Sequence, residues 1–286
     1  MHRHSARPLI GFLAAAALLT SASAGAAPIN LIDYANVVGN RVLGFDGLFG
    51  GTPLAVDING ELALDGVTFN ERFAGQTLDL VPVTSPLFPG STTTNHDGLS
   101  GAPGPGLTLL SGNTQENLSI TGGLISGGGV DYRISGNAPE QGGFVRRGEG
   151  AVSFRFDDEQ SELGFQVFGA GGISNRQQIP SGPVTAAFFR NDGSLIDSLL
   201  LNLAGGFGPS SFGFQRDGGL ADIAGVSLTN IDAFGVSYDN LVYSFSASDD
   251  ESDTDIDMPE PSSLMTLAVA LAGFGVAARR RRNKVR

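Results

Sequence analysis

The chain has 286 residues, among them 42 Gly, 19 Phe, no Cys and no Trp, and its 29 acidic against 17 basic side chains give a net charge of −12. Its 41% hydrophobic content is enough to bury a core and excludes wholesale disorder. The lack of Cys excludes a disulfide framework, a thiolate nucleophile and any Cys-ligated metal.

Residues 1–27 read as a secretory signal helix. Arg3 and Arg7 form a positive start, Leu9 to Leu19 an apolar run, and small residues follow from Ser21 to Ala27. Ala22-Ser23-Ala24 and Ala24-Gly25-Ala26 both satisfy the small-x-small cleavage rule. The apolar run is well short of the roughly 20 residues that a bilayer crossing takes. This leader implies export, with the Sec translocon as a partner.

Residues 28–245 read as one all-β domain, an antiparallel β-sandwich of jelly-roll-like type. In its first half, runs at 41–49, 66–73 and 130–135 have strand character, whereas 82–106, rich in Pro, reads as a long surface loop. In Val152-Ser153-Phe154-Arg155-Phe156 and Leu163-Gly164-Phe165-Gln166-Val167 the apolar side chains alternate, the pattern of a half-buried strand. Asp157-Asp158-Glu159-Gln160-Ser161 joins these runs as a turn. Further strands are predicted at 184–190, 195–203, 212–216, 223–229 and 234–245. Asn191-Asp192-Gly193-Ser194 is a hairpin signal, because Asn and Gly tolerate positive φ. In the last strand the apolar parity changes between Tyr238 and Leu241, and a bulge at Asp239-Asn240 reconciles the two halves.

Residues 246–257 hold six acidic groups and one large apolar residue, and read as an extended acidic linker. The last segment, 258–286, has three parts: Pro259-Glu260-Pro261, an apolar stretch from Leu264 to Ala278, and the basic cluster that opens with Arg279-Arg280-Arg281-Arg282. The prolines fix φ and withhold amide donors, which keeps Glu260 in extended, accessible chain. The apolar stretch reads as a transmembrane helix, and the arginines as the cytoplasmic stop set by the positive-inside rule. Between the two ends, residues 28–258 carry nine Arg, no Lys and 28 acidic side chains, a net of −19. A body so charged repels phosphate backbones, which argues against nucleic acid as a partner.

The C-terminal segment resembles the PEP-CTERM sorting signal of Gram-negative bacterial proteins. That resemblance implies recognition of Pro259, Glu260 and Pro261 by a membrane-embedded exosortase, removal of the tail after transient inner-membrane anchoring, and delivery to the cell envelope, outer surface or extracellular matrix. Residues 150–243 resemble the jelly-roll region common among such proteins, notably at Val152 to Phe156, Arg190 to Ile196 and Gly235 to Tyr243.

Catalytic chemistry is sparse. His2 and His4 lie in the leader, so His96 is the one histidine left for a triad, and in Thr94-Asn95-His96-Asp97-Gly98 it reads as a solvated loop residue. No Gly-x-Ser-x-Gly elbow occurs in the body. Asp157, Asp158, Glu159 and Glu162 are the candidates for a glycoside-hydrolase pair, but they read first as a solvated acidic turn. Asn117-Leu118-Ser119 matches the glycosylation sequon. Asp157, Asp158, Asp239 and Asn240 offer the hard oxygens that Ca²⁺ takes, against the simpler reading of turn and bulge residues without metal.

The expectation is therefore a non-enzymatic, exported envelope or exopolysaccharide-matrix protein with a structural or adhesive role, Ca²⁺ being the one cofactor retained. The alternative is a carbohydrate-binding module stacking sugar on Tyr132, Tyr238 or Tyr243, and the more distant one is a secreted glycoside hydrolase.

Overall fold

The structure is a computed structural model that describes residues 28–46, 48, 55–84, 93–124, 130–141, 144–169, 182–204 and 208–245. The leader, the acidic linker and the C-terminal segment lie outside the described residues, as do the signal and transmembrane helices expected there. The chain divides into two compact units after Ser244, and both main sheets belong to the first.

In chain order the strands are β1 Ile29–Ile32, β2 Arg41–Leu43, β3 Ala55–Ile58, β4 Leu62–Leu64, β5 Val67–Asn70, β6 Arg72–Phe73, β7 Thr77–Val83, β8 Thr94–Ser100, β9 Leu109–Leu110 and β10 Leu118–Leu124. They continue as β11 Val130–Gln141, β12 Phe144–Gly150, β13 Val152–Gln160, β14 Glu162–Gly169, β15 Val184–Phe189, β16 Leu195–Leu201, β17 Ser210–Arg216, β18 Ile223–Asn230 and β19 Val236–Tyr243. Among the described residues there is no α-helix, only two short 3₁₀ turns.

Two antiparallel sheets dominate. The larger has the order β1-β17-β14-β19-β11-β10-β3, with β12 also on β11 and β2 also on β19. The smaller runs β16-β15-β18-β13-β5-β4. The alternating residues of the sequence meet between them: Phe188 of β15 lies 5.0 Å, centroid to centroid, from Phe214 of β17, and Phe156 of β13 lies 5.7 Å from Tyr243 of β19. All four rings are buried. At about 1.5–3 kcal/mol for each large apolar side chain removed from water, this aromatic layer replaces the disulfides the chain lacks.

The smaller sheet is covered on its second face as well. Phe73 of β6, Leu109 of β9 and Leu107, two residues before β9, form a second apolar cluster with Phe189 of β15 and Ala224 of β18. Gly225 makes that contact possible, because a Cβ there would stand 2.7 Å from both the Phe73 ring and Leu107. The expected surface loop at 82–106 is corrected in part: 94–100 form a strand, 101–106 are irregular, and 85–92 lie outside the described residues. β8 pairs with β7 in register Val81↔His96 and Asp79↔Gly98. Its polar residues His96 and Asp97 are buried in the fold, which composition alone misread.

The acidic stretch after Phe156 is also not a free turn. β13 continues to Gln160, and only Ser161 separates it from β14. Against β18 the register jumps between Arg155 and Gln160, which places the acidic residues in a wide bulge. Buried Gln160 anchors the end of that bulge: its Nε2 donates to the Ser244 carbonyl at 2.7 Å, and its Oε1 accepts from the Ser244 amide at 2.7 Å. The hairpin at 191–194 forms as expected, with Gly193 at φ 84° and the Ser194 amide donating to Asp192 Oδ1 at 2.8 Å.

Candidate functional site

Strand β19 changes partner along one edge. At Tyr238 it pairs with Ile134 of β11, and from Leu241 to Tyr243 it pairs with β2. Between these points the register against β14 goes from Gln166↔Asp239 to Gly164↔Val242, one residue longer on β19, and Asn240 sits at φ 50°. This is the bulge expected at Asp239-Asn240, located where the sheet forks.

Four charged residues converge on the fork. Asp239 comes from β19, Asp131 and Arg133 from β11, and Asp46 from just beyond β2. Asp46 Oδ1 accepts the Tyr132 amide at 2.8 Å, and Arg133 donates to Asp131 Oδ2 from Nη2 at 2.5 Å and from Nε at 2.8 Å. The Arg133 guanidinium also lies 3.6 Å from the Phe168 ring centroid. Asp239 is 3% exposed and its Oδ1 has no hydrogen-bond partner among the described residues. Burial, reinforced by the Asp131 and Asp46 charges and opposed by a hydrogen bond from the Asn240 amide and by Arg133, pushes its carboxyl up to about 7. Asn240 donates from Nδ2 to Gln166 Oε1 at 2.8 Å, and its carbonyl accepts the Tyr34 hydroxyl at 2.7 Å. Asp46 is exposed and Asp131 half-buried, so the fork opens to solvent on one side.

A second polar cluster is sealed. His96 and Asp97 of β8 are 0% and 1% exposed, which corrects the solvated-loop expectation for His96. His96 Nδ1 lies 3.2 Å from the Asn230 carbonyl, and Nε2 lies 3.7 Å from Glu149 Oε2. Asp97 Oδ2 accepts the Ala151 amide at 3.3 Å. Desolvation dominates the electrostatics here. It pushes Asp97 and nearby Glu71 up to about 7, raises Glu149, and lowers His96.

The structure separates the residues that the sequence grouped. Asp157 and Asp158 lie on β13 of the smaller sheet, whereas Asp239 and Asn240 lie on β19 of the larger. Among the described residues no three His, Asp or Glu side chains are disposed to hold a metal ion by themselves. Asp157 and Glu159 are exposed, and Glu162 is engaged, accepting the Val38 amide at 3.0 Å and Gln215 Nε2 at 3.2 Å. Tyr132, Tyr238 and Tyr243 are buried at 4%, 4% and 1% exposure, so none offers a face to sugar. Asn117 is fully buried and donates to the Ile58 and Gly60 carbonyls, which closes the sequon to any transferase. Asp46, Asp131 and Arg133, the partners that complete the fork, were missed. The only sequence signal for them is acidic residues beside short strands, which recurs throughout this chain.

Among the described residues, fold and site together define an all-β antiparallel protein with two clusters of buried polar and acidic side chains. Residues 259–282 match the PEP-CTERM protein-sorting motif, the signal that exosortase recognises, so the chain carries an export address with membrane anchoring before processing. No curated protein matches the chain. A solved structure with some likeness is the enzymatically active domain of tailspike protein 4 from bacteriophage CBA120, 12% identical with a TM-score of 0.27. The match covers 61% of this chain and 20% of that one, so this chain spans about a fifth of the tailspike domain's length.

Proposed function

We propose that this is an exosortase-processed structural or adhesive protein of the cell envelope or exopolysaccharide matrix, acting without enzymatic turnover. The sorting motif at 259–282 carries the reading. It is supported by the placement of the protein's most perturbed carboxyls. Glu71 and Asp97, two of the three carboxyls pushed up to about 7, are closed inside the fold rather than presented in a cleft where a general acid would meet its substrate, and the third, Asp239, is itself buried at the fork. The acidic side chains that are exposed on the β13 bulge serve solubility in a secreted body of net −19.

The deciding measurement is the intact mass of the protein from envelope and medium fractions of a host with exosortase and a host without it. Loss of the residues beyond the Pro259-Glu260-Pro261 region only when exosortase is present is expected. An intact tail in both hosts reduces the segment to a plain membrane anchor. Turnover of any member of a polysaccharide panel would overturn the non-enzymatic part of the reading.

A further inference from the structure

At the β19 fork two side-chain oxygens approach the exposed Gly44: a Cβ placed there would stand 3.5 Å from Asp239 Oδ1 and 3.8 Å from Asn240 Oδ1, both ordinary contact distances. Side-chain oxygens from two successive residues therefore face the same glycine. Such convergence is unusual for adjacent strand residues, whose side chains alternate between faces, and the bulge with Asn240 at positive φ brings it about. Asp239 Oδ1 is buried and has no hydrogen-bond partner among the described residues. A buried carboxylate oxygen left this way is costly unless a cation or a donor satisfies it.

Charge points to what that occupant is. Among the described residues, Asp46, Asp131 and Asp239 meet a single cation, Arg133, which is already bound to Asp131. When all three carboxylates are ionised the fork carries a net of −2, matched to one divalent ion. The donors are a carboxylate oxygen, an amide oxygen and the exposed Asp46 carboxylate, with no nitrogen or sulfur among them. An oxygen-only set excludes the softer metals, and an irregular set completed by water is one that Ca²⁺ accepts and Mg²⁺, which demands near-ideal octahedral geometry, does not.

We propose that the fork binds one Ca²⁺, held by Asp239 Oδ1, Asn240 Oδ1 and Asp46, with Asp131 supplying charge and water completing the shell. Carboxylates alone do not make the site, in keeping with the absence of any three-acid metal cluster among the described residues. A bound ion here pins β2, β11 and β19 together at the point where the larger sheet changes partner, stabilising an exported domain at a place where its ladder is interrupted. The proposal does not depend on the sorting or matrix reading.

The test uses the full chain titrated with Tb³⁺, excited through tyrosine, and then competed with Ca²⁺ or Mg²⁺. Tyr34 and Tyr132 adjoin the fork, whereas Tyr243 precedes the acidic segment 246–257 by three residues, so the emission assigned to the fork is the part that the fork variants below remove. Sensitised emission that Ca²⁺ displaces and Mg²⁺ does not is expected. Asp239→Asn and Asp46→Asn should each weaken binding by about tenfold or more. Gly44→Ala should weaken it as well, yet its Cβ meets the two oxygens at ordinary contact distances, so the fold survives. Melting in EDTA verifies that each variant is folded. Asp157→Asn should bind as the wild type does. No Ca²⁺-displaceable emission from the wild type, or wild-type affinity in Asp239→Asn and Gly44→Ala, would overturn the proposal.

Discussion

His96 Nε2 faces Glu149 Oε2 across 3.7 Å inside the protein, beyond hydrogen-bond distance, and neither atom has a hydrogen-bond partner among the described residues. The opposite ring nitrogen, Nδ1, faces the Asn230 carbonyl, which can only accept, so Nδ1 carries a proton. His96 thereby ties β8 to β18 through Nδ1 and faces β12 through Nε2.

A buried His with a carboxylate partner behaves differently from a solvated one. Replacing His96 with Ala removes the Asn230 contact, strands the Glu149 carboxyl and opens a cavity, at a cost of about 2–4 kcal/mol. Denaturant unfolding measures this directly. A loss within about 0.5 kcal/mol, the range of an ordinary surface substitution, would mean that the imidazole is solvated after all.

The raised carboxyls set the pH response. Glu71, Asp97 and Asp239 titrate near 7 in the folded protein and near 4 when unfolded, and Glu149 is raised as well. Between those values the folded state holds protons that the unfolded chain has released, so stability falls as pH rises from about 4 to 7 and levels off above. His96 has the opposite sign: its lowered value costs stability as pH falls below 6.5. With four carboxyls against one imidazole, the protein is expected to melt higher at pH 5 than at pH 8 in EDTA. A melting temperature that climbs steadily from pH 5 to 8 contradicts that balance.

Asp222 holds two arginines at the end of the smaller sheet. Its Oδ2 accepts Arg190 Nε at 2.9 Å and Arg216 Nη2 at 2.9 Å, and its Oδ1 accepts Arg216 Nε at 2.5 Å. The Arg216 side chain is 1% exposed, whereas Asp222 retains 22% exposure, so solvent screens part of the attraction. Asp222→Ala removes the carboxylate from a buried guanidinium and should cost about 2–4 kcal/mol, less at the upper end than a fully sealed pair. The same double-arginine arrangement holds the Asp222 pKa low, so its contribution is lost only as pH falls below the usual carboxylate range.

Gly225 lies beneath Phe73 and Leu107, both 0% exposed, with no room to retreat from a methyl group. Gly225→Ala should destabilise by about 1–3 kcal/mol through overpacking. Hydrogen exchange should localise the loosening to β6 and β9 and spare the Phe188–Phe214 layer. Uniform loosening across both sheets would show that the cover and the sandwich are a single cooperative unit.

The local chemistry of the chain was enough to identify its sorting motif, its alternating strands, the Asn191–Ser194 hairpin and the bulge at Asp239-Asn240. Each is written within a few residues, in side-chain alternation, turn-forming Asn and Gly, or the fixed order of Pro-Glu-Pro, apolar run and arginines. Tertiary structure decided what composition misjudged. A polar run became strand β8 because β7 pairs with it, and its His96 and Asp97 are buried against β12, Ala151 and the Asn230 end of β18. The three tyrosines were drawn into the core, and Asp157 and Asp239, grouped by their chemistry, were sent to different sheets. The fork arises from contacts such as Asp46 with Tyr132, 86 residues apart. Its ligands meet because β19 exchanges β11 for β2, and that crossing depends on the topology of the whole sheet rather than on any local pattern of residues.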